Sequence, residues 1–574
     1  MSDDGMNKIT GTLYPLILVA LFAGLYFTSL QKPVVIDYDE GAYAEVSRSM
    51  YVSGEAVIPT LNGDGFFEKP PLLYWAQMLG YRVFGINALG ARFFNACAAV
   101  ATILIFYSGT ARALGNRVAF NSSLILGSSV IFIYLARVAM ADMLLTLFLT
   151  SCLVFSWHAV ERYLTDKNGA ALFWLGCFCA ALAMLSNGAV GALFPVLTAV
   201  CYLVTIGRPT LIFNRRWFIP GSIIVVLVGF SWYLLLGLMH PDGFHFIKEL
   251  FIKHHMGRFS RAMEGHSGPL FYYLIILFVG FMPWFGYLPQ ALLKMPLKTG
   301  DKPGHRFIRL FTLFSLIVFG FFSIAATKLL NYILPALPGF ALLTGWLFEQ
   351  RMAAVQSGGN PTLGWRLAGW LGVIPCGLLG IILLALPLIF PYLPELLGED
   401  AYKAPALFEP VKLGYVPFLG AALFFLSAAM LIRAIKSPSA RLFETLVLVS
   451  LINGCTLVFL VLPLYDRLMD APLANLAEQA ARLSPPDGTI VLYEIDDRPS
   501  VNFVSGLRTV EHDERDLPAL PALFNQPDLN VGLTTSFYFE RMQNRGLAPI
   551  EIKRDTGFVL FRFSPQTVEP PPAP

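Results

Sequence analysis

The sequence predicts an all-α polytopic membrane protein of about 13 transmembrane helices, followed by a soluble C-terminal α/β domain; three observations carry that reading. Hydrophobic residues make up 56% of the 574 and charged residues 14%, against about 25% charged in an average soluble protein. Apolar windows long enough for a hydrocarbon core of roughly 30 Å recur along residues 12–463. From Leu473 the pattern changes to amphipathic helices and alternating strands.

The windows fall near 12–30, 88–108, 118–136, 142–160, 171–186, 189–206, 217–238, 269–292, 308–326, 330–348, 366–390, 413–434 and 442–463. The first follows a single Lys8 and has no small-residue cleavage pattern behind it, so it reads as a retained helix. In the tail, "LANLAEQAARL" and "TSFYFERMQNRG" read as helices, "GTIVLYEI" and "GFVLFRF" as strands, and "VEPPPAP" as a disordered end. The expected division is 1–464, membrane domain, and 465–574, α/β domain.

Arg and Lys concentrate in alternate short loops, from Arg112 and Arg117 through Arg215 and Arg216 to Arg433 and Lys436. The positive-inside rule makes those loops cytoplasmic, with the N-terminus. The long polar loops 31–87, 239–268 and 390–414 and the tail then lie on the opposite face, the periplasm in a bacterial inner membrane. A net charge of +3 without a basic run excludes a nucleic-acid partner, and no glycine-rich phosphate loop marks a nucleotide site. All seven cysteines sit in apolar runs, where thiols serve as packing residues.

The first outer loop is unusually acidic for so apolar a chain. Asp37, Glu45, Glu55 and Asp64 read as solvated. Asp39 and Glu40 lie close behind the first helix, at the head of "EGAYAEVSRSMYVSG", whose Ala42, Val46 and Met50 share one face of an interfacial helix. "FFEKPPLLYW" sets Glu68 and Lys69 beside an apolar aromatic run, and Pro70 holds Lys69 extended. A cation there suits a lipid phosphate, or snorkels to headgroups. Asp142 opens the fourth span, where an ionisable residue marks function or complements the helix dipole. In the second long loop, His254, His255 and Arg258 cluster; the Arg258 guanidinium suits a phosphate fork. Lys328 and Tyr332, near the tenth span, add a cation and a hydroxyl. A metal site between imidazole and carboxylate loops has no supporting H-x-x-x-H or H-E-x-x-H spacing.

Together, "DYDEGAYAEVSRSM", "FFEKPPLLYW", "ARVAMAD", "HHMGRF" and "KLLNYILPALP" resemble the bacterial lipid A aminoarabinose transferases, polyprenyl-phosphate-dependent glycosyltransferases of the GT-C class alongside the protein O-mannosyltransferases. The resemblance implies a GT-C fold with a periplasmic α/β domain. It also implies transfer of 4-amino-4-deoxy-L-arabinose from undecaprenyl phosphate to a lipid A phosphate, conferring polymyxin resistance, with no nucleotide sugar. On that pattern Asp39, Glu40 and Asp142 are the catalytic carboxylates. Lys69, Arg258, Tyr332 and Lys328 serve the substrate phosphate, and Glu68 with His255 could hold a divalent Zn, Mg or Mn ion. The "DYDEG" of this chain departs from relatives with asparagine or another aspartate there and leaves the partner of Asp39 open.

Independently of the resemblance, a phosphate leaving the anomeric carbon needs cations to stabilise its charge, and a carboxylate near the attacking oxygen acts as base or orienting group. A mannosyltransferase-like enzyme with a hydroxyl acceptor is the alternative. A lipid-phosphate flippase is a further one, although internal repeats and interrupted midplane helices are not evident.

Overall fold

The computed structural model describes residues 3–246, 257, 266–296, 302–356, 362–397, 405–409, 411–436, 441–525 and 531–564. Among them, ten helices are long and apolar enough to cross a membrane, or eleven if the bent pair Asn116–Ser128 and Val130–Ala136 forms one span. This lowers the expected count of about 13, which treats every apolar window of sufficient length as a crossing. Two windows account for the difference. Residues 189–206 form a helix of only 16 residues, Val190–Thr205. Residues 269–292 break into Tyr272–Gly280, a 3-10 turn and Leu288–Leu293.

The helices that build the site are α1 (Asp3–Phe27), α2 (Asp39–Ser53), α3 (Leu72–Phe84), α4 (Ala88–Leu114), α5 (Asn116–Ser128), α6 (Val130–Ala136), α7 (Ala141–Leu164) and α8 (Ala170–Asn187). Helix α2 follows the expected pattern, with Ala42, Val46 and Met50 at most 1% exposed. It ends at Gly54, whose φ of +73° suits a residue without Cβ. It is more enclosed than an interfacial helix, because α3 and the C-terminal domain cover its other faces. Between α2 and α3, β1 (Thr60–Leu61) and β2 (Asp64–Gly65) pair through the Asn62-Gly63 turn, both residues at positive φ as such a hairpin requires.

The C-terminal domain is a five-stranded sheet in the order β4-β3-β5-β7-β6. Its strands are β3 (Thr489–Tyr493), β4 (Arg508–His512), β5 (Val531–Thr535), β6 (Ile550–Asp555) and β7 (Phe558–Arg562). The first three are parallel, and β7 runs antiparallel to both of its neighbours, β5 and β6. Side chains alternate between faces along a strand. Ile490 and Leu492 therefore meet the helix Ala471–Leu483, while Val491 and Tyr493 meet Ser536–Asn544.

This domain is bolted to the first loop. Asp37 accepts from the Ser500 amide (2.9 Å) and hydroxyl, at the start of the helix Pro499–Ser505. Asn62 donates to the Thr509 carbonyl at 2.7 Å and accepts from its amide at 3.0 Å, extending the edge of β4. Gly41 is required where it stands, since a Cβ would lie 2.5 Å from the Asp37 carboxylate and 3.0 Å from the Ser500 nitrogen. The solvated reading of Asp37 and Glu45 is thus overturned. Asp37 docks a domain, and Glu45, 3% exposed, pairs with Arg48 at 2.6 Å.

Candidate active site

Lys69, Asp142 and two asparagines converge at one end of the helix bundle. Asp142 lies in the first turn of α7, where the helix dipole favours a carboxylate. It is 2% exposed. One of its oxygens accepts from Asn331 Nδ2 at 2.7 Å and the other from Asn187 Nδ2 at 3.3 Å. Asn187 closes α8, and its Oδ1 accepts from the Lys69 ammonium at 2.7 Å. Since α7 begins, α8 ends and the span Leu330–Met352 begins here, alternating helix directions gather these groups on one face. Lys69 is only 7% exposed. Its charge is therefore held in a poorly hydrated place, where it acts more strongly than in water.

Asp39 is at the head of α2 and half-buried. The Tyr74 phenol on α3 lies in the field of both Asp39 and Glu68: burial first, then the carboxylates of Glu68 and Asp39, push that phenol above its ordinary range. The Tyr74 hydroxyl is buried without a hydrogen-bond partner among the described residues.

Glu40 has a different place from the catalytic one expected. One oxygen accepts from Arg92 Nε (2.7 Å) and the Ala139 amide (2.8 Å), the other from Arg92 Nη2 (2.6 Å) and the Ile36 amide (2.9 Å). The remaining Arg92 donors reach the carbonyls of Leu30, Pro33 and Val34. Both side chains are at most 2% exposed. Glu40 thus fixes the head of α2, with Asp39 next to it, to the segment that leads into Asp142. Asn95 holds the same segment through the carbonyls of Val138 and Met140, each at 2.7 Å. Glu40 is a positioning residue.

Lys328 also departs from the expected phosphate role. Its ammonium donates to the carbonyls of Phe322 (3.0 Å), Ser323 (2.5 Å) and Ala325 (2.6 Å), and so caps the helix Pro303–Ile324, whose C-terminal carbonyls attract a cation. Tyr332 follows Asn331 and packs against Phe322 with ring centroids 4.7 Å apart and planes tilted by 32°. Arg258 and His255 lie outside the described residues, as does His254. Among the described residues no group of three or more His, Cys, Asp and Glu could hold a metal ion.

An apolar groove of about 400 Å³ lies between α3, α4 and α7, lined by Leu72, Trp75, Phe94, Cys97, Leu144 and Phe148. Leu72 opens α3, three residues after Lys69, and Leu144 lies in the first turns of α7, two residues after Asp142, so the helices that wall the groove begin at or just behind these two groups. Sequence reading overlooked Asn187 and Asn331. The signal lay in "MLSNGAV" and "KLLNYIL": an amide at the end of an apolar run is costly to bury unless something binds it.

The family model for dolichyl-phosphate-mannose-protein mannosyltransferases matches residues 11–246, which include Asp39, Lys69, Asp142 and Asn187. An uncharacterized protein of Aquifex aeolicus is 31% identical over 354 residues, 61% of this chain and 66% of its own length. The undecaprenyl phosphate-alpha-4-amino-4-deoxy-L-arabinose arabinosyl transferase of Yersinia enterocolitica is 29% identical over 57% of this chain and 58% of its own; that of Aeromonas hydrophila is 29% identical over 70% and 71%. The first two alignments thus span less than two thirds of the relatives. The crystal structure of ArnT from Cupriavidus metallidurans bound to undecaprenyl phosphate superposes with a TM-score of 0.72 at 20% identity, covering 95% of this chain and 97% of that one. The chain has the fold of this GT-C membrane glycosyltransferase structure, and its first 246 residues match the mannosyltransferase family model from residue 11 on. Within that class its similarity is to the undecaprenyl phosphate-aminoarabinose transferases.

Proposed function

We propose that this protein transfers 4-amino-4-deoxy-L-arabinose from undecaprenyl phosphate to a phosphate of lipid A, at the periplasmic face of a bacterial inner membrane. The observation that carries the proposal is the Lys69–Asn187–Asp142–Asn331 chain of hydrogen bonds, set among helices that also wall an apolar groove. The ammonium stands where a lipid phosphate would leave, and the groove accepts an isoprenoid tail. In the reaction an acceptor phosphate oxygen bonds the anomeric carbon as its bond to the donor phosphate breaks, releasing undecaprenyl phosphate. Lys69, with Arg258, stabilises the departing charge. Asp39 orients the sugar and offsets positive charge at its carbon and amine, since an acceptor phosphate is already a nucleophile near neutral pH. Glu68 offers a carboxylate for a divalent ion with His255, and no step here runs through such an ion.

The match to the mannosyltransferase family model favours a second reading, with a hydroxyl acceptor. Purified protein incubated with synthetic undecaprenyl phosphate-aminoarabinose and either acylated disaccharide phosphate or hydroxyl acceptors separates the two. Product on the phosphate supports the proposal. Product only on hydroxyls replaces it with the mannosyltransferase-like reaction.

A further inference from the structure

A second cavity, polar and of about 650 Å³, lies in the seam between the first loop and the C-terminal domain. Its walls are the far half of α2, the β1–β2 turn, the entry to β3 and the start of β4. The seam is not slack packing, because Asp37–Ser500 and Asn62–Thr509 fix both sides of it. Two guanidiniums face the cavity. That of Arg48 is neutralised by Glu45 at 2.6 Å. Arg508 is exposed and has no ion-pair partner among the described residues. Its guanidinium lies over Gly63, where a Cβ would stand 3.2 Å from Cζ, so a residue of φ +96° without a side chain keeps the place open. Ser49 and Thr60 line the same wall. Helix α2 joins the two sites: Asp39 is at its head and Arg48 lies about 13 Å further along its axis, at the α-helical rise.

From this geometry we infer that the cavity is an acceptor subsite, which holds the distal part of a phosphorylated saccharide headgroup with Arg508 on its second anionic group. The inference rests on the proposed transfer reaction and extends it. One phosphate of the acceptor attacks near Asp39 and Lys69, and the saccharide follows α2 into the seam. The C-terminal domain then has a stated task, to supply the far wall that recognises the acceptor.

The test uses the full-length protein in detergent with synthetic acylated glucosamine disaccharides carrying one or two phosphates. Arg508→Gln is expected to raise KM for the bisphosphate acceptor about tenfold to a hundredfold, the worth of one charged hydrogen bond. Both kcat and the KM for donor should stay unchanged, as should all parameters with the monophosphate. Arg508→Lys should restore part of the affinity, and Asp487→Asn, which removes a carboxylate from the same cavity, should lower that KM. An unchanged KM in Arg508→Gln overturns the subsite and leaves the transfer reaction standing. If the wild type transfers to neither acceptor, the reaction itself has failed. Calorimetric titration with the soluble disaccharide bisphosphate then decides the cavity alone: binding lost in Arg508→Gln supports it, and no binding by the wild type overturns it.

Discussion

Replacing Glu40 with Gln separates a positioning carboxylate from a catalytic one. The carboxylate accepts four hydrogen bonds, and all the Arg92 donors are engaged around it. A glutamine offers one oxygen and an NH2, so one pair of donors faces another and the arginine charge is left buried without its counter-ion. Breaking such a pair from one side costs about 3–5 kcal/mol. The variant should therefore unfold at clearly lower temperature in detergent, with loss of activity following the loss of fold. Arg92→Met should be similarly destabilised. The double variant Glu40→Leu/Arg92→Met should recover part of the loss, because two apolar side chains leave no orphaned charge. A Glu40→Gln protein that melts like wild type yet transfers no sugar would refute this assignment and return Glu40 to the chemistry.

Lys69→Ala should lower kcat by about 10²–10³, the loss typical when a group stabilising developing charge is removed, and Lys69→Arg should also be poor, since a planar fork does not replace a point charge; steady-state assays of correctly inserted protein check both. Asn187→Leu and Asp142→Asn should each impair transfer because they disturb the held ammonium; Asn187→Leu should also lower the melting temperature, since it strips a hydrogen bond from each of two buried charged groups. Asp39→Asn should be severely impaired and should not recover as pH rises from about 7 to 9, where an acceptor phosphate is already past its second pKa of about 6; progressive rescue by alkali would indicate a hydroxyl acceptor. Burial raises the Asp37 carboxyl to about 6, with Arg498 and the Ser500 hydrogen bonds opposing and Asp497 adding. Burial, then Asp37, raises Asp470 to about 7, opposed by Arg498 and reinforced by Asp466 and Glu40. Both protonated forms are favoured by the fold, so their contribution is fullest below about pH 4, their unfolded range, and is lost as pH rises through 6 and 7. Melting curves from pH 5 to 8 should show declining stability, and Asp470→Asn should flatten the decline.

The membrane helices were legible because a 30 Å apolar slab imposes a length and composition that any chain must meet. The overcount arose where that rule is weakest, in an apolar stretch that breaks before Leu288 and in a helix of 16 residues. Lys69 and Asp142 stood out as candidates in the sequence because charge next to apolar sequence is costly. Asn187 and Asn331 did not, because their meaning lies in a contact between residues far apart in the chain. Glu40 and Asp39 are adjacent and alike in sequence; only the distant Arg92 and Ala139 distinguish the clamp from its neighbour. In the tail, β3 and β7 were evident as apolar runs. The outer strands β4 and β6 carry mostly exposed or half-exposed side chains, and β5 is a short segment containing glycine, so periodicity could not mark them.

The most direct measurement is mass spectrometry of lipid A from bacteria with and without this protein, supplied with the undecaprenyl phosphate-aminoarabinose donor. Lipid A should carry added aminoarabinose on phosphate only where the protein is present, and none with the Lys69→Ala variant. Unmodified lipid A in cells with membrane-inserted wild-type protein, or the sugar on a protein hydroxyl instead, would contradict the proposed transfer.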